Sequence, residues 1–361
     1  MLFFLPISIS LFEIFAAFAL LGFIGRKIIK PDFEYLQSWP NIFLLLFFLF
    51  NMLSLINSGK YLPEGASSLC RKWAQFFIIY AIVQDAVYNQ KIVRRGIRVF
   101  LFSAVLTTSL GIGQILCGKD FLFNKPPDII NGGILAMTST FPHYNSFGGY
   151  LVIALSLTCA LFIADTCLGL KAVGLLALSV LLSAAIVFTF SRGSWIAISI
   201  SLIFLSVFNP RRYYRLIPIF ILILLLSSIS IIRDRLYFIF ELGGDRDRFR
   251  YWSAAFNMIK DHPFLGLGVG TFMSNFWKYL PLSHISYAHN CYLQICAETG
   301  VFGLLSFMLF IISIGYISMK KFFVSRDFLL FGLIAGMLGF LVHSFFDSHL
   351  YSFRLAALFW L

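Results

Sequence analysis

Long apolar runs separated by short gaps rich in lysine and arginine leave this chain very few ways to fold. Runs long enough, or nearly long enough, to cross a bilayer occur near 2–24, 40–56, 73–90, 97–117, 146–164, 172–190, 194–208, 216–232, 291–318 and 328–346. A shorter one follows at 350–361. A span needs roughly 17–25 mostly apolar residues, and hydrocarbon offers the backbone no water to bond, so each run is expected to close its own hydrogen bonds as a helix. Only 12% of the 361 residues are charged, against roughly 25% in ordinary soluble domains. The expected architecture is an all-α, polytopic membrane protein of about eleven helices, within a range of ten to twelve.

The net charge of +12 does not point to nucleic acid, because its placement explains it. Basic residues gather at Arg26, Lys27 and Lys30, at Lys91, Arg94, Arg95 and Arg98, at Arg211, Arg212 and Arg215, and at Lys320, Lys321 and Arg326. Short loops with that bias face the cytoplasm. The intervening loops 57–72, 118–145, 191–193 and 233–290 then fall outside, with the N-terminus out and the C-terminus in. The turn 165–171 carries one basic residue and is the weakest step. Three parts are expected within one membrane domain: helices in 1–232 with an outer loop at 118–145, a large outer loop at 233–290, and C-terminal helices in 291–361. The six cysteines, Cys70, Cys117, Cys159, Cys167, Cys291 and Cys296, form no CxxC pair and no metal spacing. The first run is apolar from Met1 without a basic stretch ahead of it, so no cleavable leader is expected.

The large loop is where polar chemistry concentrates. Arg250–Ile259 reads as helix, Asp261-His262-Pro263 stops it, and Gly266-Leu-Gly-Val-Gly270 makes a compact turn rather than a dinucleotide fingerprint, since no strand precedes it. The 118–145 loop, with Pro126-Pro127 and Gly132-Gly133, reads as turns without strand or helix. Arg192, in FTFSRGSWIA, is either a snorkelling interfacial arginine or a planar fork for a phosphate at headgroup level. Arg246, Arg248 and Arg250 are either a solvated face balanced by Asp245 and Asp247 or part of an anion site. Their position on the outer side is not accounted for by the positive-inside rule. His289 stands at the mouth of a span, one position off a stripe of Asn290, Gln294 and Glu298 at four-residue steps. A histidine there is structural or a proton acceptor, since imidazole titrates near neutrality. Glu298 either orients that site or pairs with an arginine. No HExxH or GxSxG occurs, and the close acidic pair Asp245 and Asp247 is interleaved with Arg246 and Arg248, so neither a metal nor a serine nucleophile is expected.

Four segments together resemble the O-antigen ligase/polymerase family of bacterial envelope glycosyltransferases: FPHYNSFGGYL with His143 and Asn145, FTFSRGSWIA, RFRYWSAAFNMIKDHPFLGLGVGTF, and AHNCYLQICAETGVFG. They span about residues 140–305, and the last holds the His-x10-Gly pattern as His289 and Gly300. The first 130 residues match only as generic spans. The resemblance implies a GT-C-like fold in the bacterial inner membrane, with the active site facing the periplasm. Arg192, Arg248 and His289 would be the catalytic residues, with Arg250 as the alternative to Arg248. Arg250, Asn290, Gln294, Glu298, His143 and Asn145 would contact substrate. The implied donor is a glycan on undecaprenyl pyrophosphate. The implied acceptor is lipid A-core in a ligase, or a second lipid-linked glycan in a polymerase, with no cofactor, no metal and no nucleic acid. The ligase reading is favoured. A transporter or flippase is the rival from another class, disfavoured because the unusual residues gather at one face rather than mid-membrane. Two features depart from the family: Ile196 stands where Arg-x3-Leu has leucine, and eleven spans are counted where twelve are common.

Overall fold

The computed structural model describes residues 1–33, 37–86, 90–130, 133–165, 169–208, 213–217, 219–221, 246–281 and 286–361. Expectations at Arg211, Arg212, Asp245 and Cys167, for the side chain of Arg246, and for most of the 216–232 span lie outside those residues. So does the first part of the large loop, 233–245.

The described chain is mostly helical, in chain order α1 (Ile9–Ile29), α2 (Trp39–Ser54), α3 (Leu62–Ser68), α4 (Ala74–Ala86), α5 (Gln90–Cys117), α6 (Tyr144–Ala164), α7 (Leu170–Phe188), α8 (Arg192–Val207), α9 (Arg246–Asp261), α10 (Phe272–Tyr279), α11 (Cys291–Ser325), α12 (Phe328–His343) and α13 (Phe353–Trp360). Among the described residues six helices are long and apolar enough to cross a membrane: α1, α2 with its 3-10 extension to Asn57, α5, α6, α7 and α11. Two shorter apolar helices, α8 and α12, stand where spans were expected at 194–208 and 328–346. The run at 73–90 becomes α4, which continues without a break from α3 through a π-helical turn at Leu69–Trp73. The run at 350–361 becomes α13, of 8 residues, which by itself is too short to span.

One expectation is corrected. The 118–145 stretch is not turns alone: Asp128–Ile130 (β1) pairs antiparallel with Ile134–Ala136 (β2), Ile129 lying opposite Leu135. The isoleucines flanking the glycines supply the β-branched alternation that a reading of turn residues alone passes over. Ile130, Ile134 and Ala136 pack with Val187, Phe190, Tyr144 and Trp195, while Ile129 and Leu135 are exposed.

The chain forms two compact units. The first comprises Met1–Phe12, Lys91–Gly244 and Ser318–His343. Its centre is α6, buried along nearly its whole length, as a helix apolar on every side must be. Helix α12 lies against α6 through Gly332 and Gly336, where an added Cβ would meet Leu157, Ala160 and Ile153. Small residues at four-residue spacing permit such close packing where there is no water to drive association. The 118–145 and 188–193 segments meet here, with the Met137 amide donating to the Phe188 carbonyl at 2.9 Å.

The second unit comprises Glu13–Gln90, Asp245–Ile317 and Ser344–Leu361. Its core is aromatic: Phe47 meets Trp73 at 5.5 Å, Trp360 stacks on Phe310 at 5.6 Å, and Trp73 meets Tyr351 at 5.9 Å. At one end Asp85 pairs with Lys27 at 2.8 Å and Arg26 at 3.0 Å. The ends of α1 and α4, which border two of the basic clusters, therefore lie together. The segment after α2 meets the large loop: the Asn57 amide donates to the Gly266 carbonyl at 2.8 Å, and the Val269 N–H donates to Ser54 Oγ at 2.9 Å.

Candidate active site

Helix α11 is where the second unit departs most from a simple span. Gly300 adopts φ 71° and ψ −178° inside it, so the helical ladder stops and restarts. The broken turn frees carbonyls that the glycine-rich turn then uses. The Leu267 N–H donates to the Ala297 carbonyl at 2.9 Å, the Gly268 N–H to the Glu298 carbonyl at 3.0 Å, and the Val301 N–H to the Pro263 carbonyl at 2.8 Å. A Cβ on Gly300 would lie 2.1 Å from the Phe264 carbonyl oxygen, and one on Gly266 would lie 2.3 Å from the Glu298 carbonyl carbon. Two backbones approach too closely here for any side chain. The GLGVG turn and the break in α11 are one structure, and it accounts for the glycine eleven residues beyond His289.

The first turn of α11 is fixed with equal care. Asn290 is buried, and its Oδ1 accepts the Tyr292 and Leu293 N–H groups, both at 3.0 Å. That satisfies two of the donors a helix N-terminus leaves open. The residue before it, His289, is held at φ 48°, a left-handed conformation uncommon outside glycine and found where surrounding structure imposes it. This turns the imidazole onto the loop between α12 and α13. His289 Nδ1 lies 3.1 Å from Asp347 Oδ1, and its Nε2 lies 3.0 Å from Ser286 Oγ. A carboxylate only accepts, so Nδ1 carries the proton and Nε2 presents its lone pair to the serine hydroxyl.

Asp347 is itself held, with Oδ1 accepting the Ser348 N–H at 2.7 Å. Burial on its own would raise this carboxyl. The hydrogen bond from His289 and the positive charges nearby, Arg248 among them, outweigh burial and hold it below the usual carboxylate range. The neighbouring His349 is fully buried, and that burial pushes it down to about 4, leaving it neutral at physiological pH. Tyr251 of α9 lays its ring 5.9 Å from the His289 ring, and Trp252 meets Phe345 at 5.8 Å. Helix α9 thus packs against the histidine through Tyr251, and the charge of Arg248 on the same helix is felt at Asp347. Arg250 lies on the exposed side of α9, 3.6 Å from Asp247, the solvated pairing that was its alternative reading.

Gln294 and Glu298 are buried one and two turns into α11. Gln294 Oε1 accepts the Ala288 N–H at 3.3 Å and the Ser348 hydroxyl at 3.1 Å. Its Nε2 donates to Glu298 Oε1 at 3.5 Å. Glu298 Oε2 takes the Gly270 N–H at 2.9 Å and the Tyr351 hydroxyl at 3.0 Å. The cation facing this carboxylate is Lys72 rather than an arginine. Its Nζ lies 3.1 Å from the Tyr351 carbonyl and 4.4 Å from the centre of the Tyr351 ring. Burial pushes Lys72 down to about 8, partly offset by Glu298.

The other expected residues belong to the first unit. Arg192 is the first residue of α8, half-buried, behind Phe190 at φ 53° and an N-cap, Ser191, whose Oγ accepts the Ser194 N–H at 3.4 Å. His343 Nε2 lies 3.3 Å from Ser191 Oγ and 3.5 Å from Ser194 Oγ. Exposed His143 sits 3.7 Å from Asp128, and Asn145 is buried in the first turn of α6. Among the described residues no cluster of three or more His, Cys, Asp or Glu side chains could hold a metal.

Sequence reasoning did not single out Asp347, Ser286, Lys72 or Tyr351. The signal for Asp347 was there: Asp347-Ser348-His349 is a polar triplet between the apolar runs at 328–346 and 350–361. It reads as an inter-helix turn until the fold brings it to His289, 58 positions away.

Residues 177–308 match the family model described as O-antigen ligase. The match contains Arg192, Arg248, His289 and Gly300 and begins beyond the FPHYN segment. Comparison with curated proteins finds no similar sequence.

Proposed function

We propose that this membrane protein, a member of the O-antigen ligase family through residues 177–308, is a glycosyltransferase that uses His289 as the base toward an acceptor hydroxyl. The observation that carries the reading is the Ser286–His289–Asp347 chain. Nε2 already accepts from a hydroxyl at 3.0 Å while Asp347 holds the opposite nitrogen. An acceptor sugar hydroxyl replacing Ser286 would meet the same lone pair.

The family supports ligase or related polymerase chemistry. The donor in this reading is a glycan on undecaprenyl pyrophosphate, and the acceptor is lipid A-core. The acceptor oxygen bonds to the anomeric carbon as its proton passes to His289 Nε2. The bond from that carbon to the pyrophosphate oxygen breaks, and its electron pair leaves with the diphosphate, inverting the carbon. Asp347 stabilises the imidazolium so formed. Pyrophosphate is a good leaving group, so positioned guanidinium groups can neutralise its charge without a metal ion. Arg248, whose charge is felt at Asp347, is assigned that role in the second unit and Arg192 in the first. The setting is the inner membrane, with the site on the periplasmic face. Repeat-unit polymerisation uses the same steps with a second lipid-linked glycan as acceptor.

The test is transfer by the purified full chain in lipid, with a synthetic undecaprenyl-pyrophosphate glycan as donor. Lipid A-core and a second lipid-linked glycan are offered separately, with and without EDTA. Product on lipid A-core, insensitive to EDTA and lost in His289→Ala, is the expected result. Product only on the lipid-linked acceptor makes the protein a polymerase. No product on either acceptor ends the enzymatic reading.

A further inference from the structure

We propose that Gln294 is a positioning residue for the His289–Asp347 pair, and that it does not contact substrate. The proposal rests on the function assigned to that pair above. Asp347 lies on the loop after α12, whereas His289 lies on the segment before α11. Helix geometry within either element cannot set the distance between the two side chains. Cys291 ties the two backbones, its N–H donating to the Ser344 carbonyl at 2.8 Å and its Sγ lying 3.3 Å from the Asp347 carbonyl. The residues that flank the pair on either side are bridged by one carboxamide oxygen.

Gln294 Oε1 accepts the N–H of Ala288, the residue immediately before His289, at 3.3 Å. The same atom accepts the hydroxyl of Ser348, the residue immediately after Asp347, at 3.1 Å. Both lone pairs are therefore used, one on each side of the pair. The amide nitrogen anchors the arrangement from below by donating to Glu298 Oε1. Glu298 cannot drift, because its other oxygen is held by the Gly270 N–H and the Tyr351 hydroxyl.

Gln294 is fully buried, and the bonds to its oxygen leave no lone pair for a substrate. A buried amide with both ends engaged is rigid, and rigidity in the support holds catalytic groups at productive separations. Gln294→Met keeps length and volume but removes every one of these bonds. Gln294→Glu keeps an accepting oxygen for Ala288 and Ser348 and can share a proton with Glu298.

The test uses the full chain in lipid and two readouts. The first needs no activity: the rate at which diethyl pyrocarbonate acylates His289, read by peptide mass spectrometry. Both ring nitrogens are engaged in the native protein, so acylation should be slow. It should rise several-fold in Asp347→Asn and Gln294→Met, less in Ser348→Ala, and hardly at all in Gln294→Glu. The second readout is transfer kinetics. Gln294→Met should lower kcat by about 10- to 100-fold with KM for donor and acceptor nearly unchanged, since displacements near 1 Å carry costs of that order. Gln294→Glu should recover most of it.

If Gln294→Met does not reach the membrane, Ser348→Ala decides by the same two readouts. Native acylation in Gln294→Met or Ser348→Ala, alongside fast acylation in Asp347→Asn, would overturn the proposal. So would a raised KM with unchanged kcat, which is what a substrate contact predicts. Failure of the wild type to transfer glycan, with the acylation pattern as expected, would remove the proposed function and leave the positioning role standing.

Discussion

The start of α8 in one unit and the start of α11 in the other use the same local device for different ends. Each has a residue in the left-handed conformation, Phe190 at φ 53° and His289 at φ 48°. Each follows it with a polar N-cap, Ser191 or Asn290, whose side chain accepts N–H groups of the first turn. Each has a histidine at hand. At α8 the left-handed residue is a buried phenylalanine, and the histidine, His343, is wholly buried against two serine hydroxyls. At α11 the left-handed residue is itself the histidine, partly exposed and bonded to a carboxylate. A hydroxyl partner can anchor an imidazole. A carboxylate partner also assigns its tautomer and stabilises its charged form, which a base requires.

The comparison breaks most readily at the two histidines. His289→Ala should lower transfer by about 10²- to 10⁴-fold, the usual general-base contribution. His343→Ala should leave the rate per inserted molecule near native and cost about 1–2 kcal/mol of stability, the value of lost buried hydrogen bonds. Transfer rates normalised to membrane protein, with thermal unfolding in detergent, separate the two. A rate loss from His343→Ala equal to that from His289→Ala would dissolve the distinction.

Next in size is Arg192→Lys. It keeps the charge at the start of α8 and removes the planar fork. If Arg192 clamps phosphate, transfer should fall roughly 10²-fold, as when one oriented transition-state donor is lost. A snorkelling arginine would tolerate the change. Lys278→Ala is the control, exposed on α10 and 3.9 Å from Asp261.

Gly300→Ala tests whether the α11 break supports the site. An alanine there is strained by its φ alone, about 1–3 kcal/mol, and its methyl would strike the Phe264 carbonyl. A clear drop in melting temperature should accompany lower abundance in the membrane. The smallest effects belong to the caps. Asn290→Ala and Ser191→Ala should each cost about 1 kcal/mol. The Asn290 variant should also slow transfer, because its cap adjoins His289; equal behaviour of the two would weaken the comparison.

Much was legible without coordinates. The apolar runs set the helical class, since only closed backbone bonding survives in hydrocarbon. Helix α9 and the turn at GLGVG followed from periodicity and glycine placement. His289 was marked by its position at the mouth of a span. The β1–β2 ribbon was missed because two three-residue strands carry too short a pattern for a local reading. Asn290, Gln294 and Glu298 were recognised as one stripe, yet their tasks were not readable. A spacing of four residues says which side chains share a face, not what stands opposite.

What stands opposite is what tertiary structure alone decided. The amino-acid order determined that polar groups would sit at the end of an apolar helix, because residue type and helical period are local properties. It did not determine that Asp347 would hold His289, that Lys72 would face Glu298, or that Gly300 would open α11 to admit the Pro263–Gly270 turn. Each of those contacts joins segments 30 or more positions apart. Their distances are set by the packing of whole helices, and that packing minimises the energy of the unit rather than of any stretch within it.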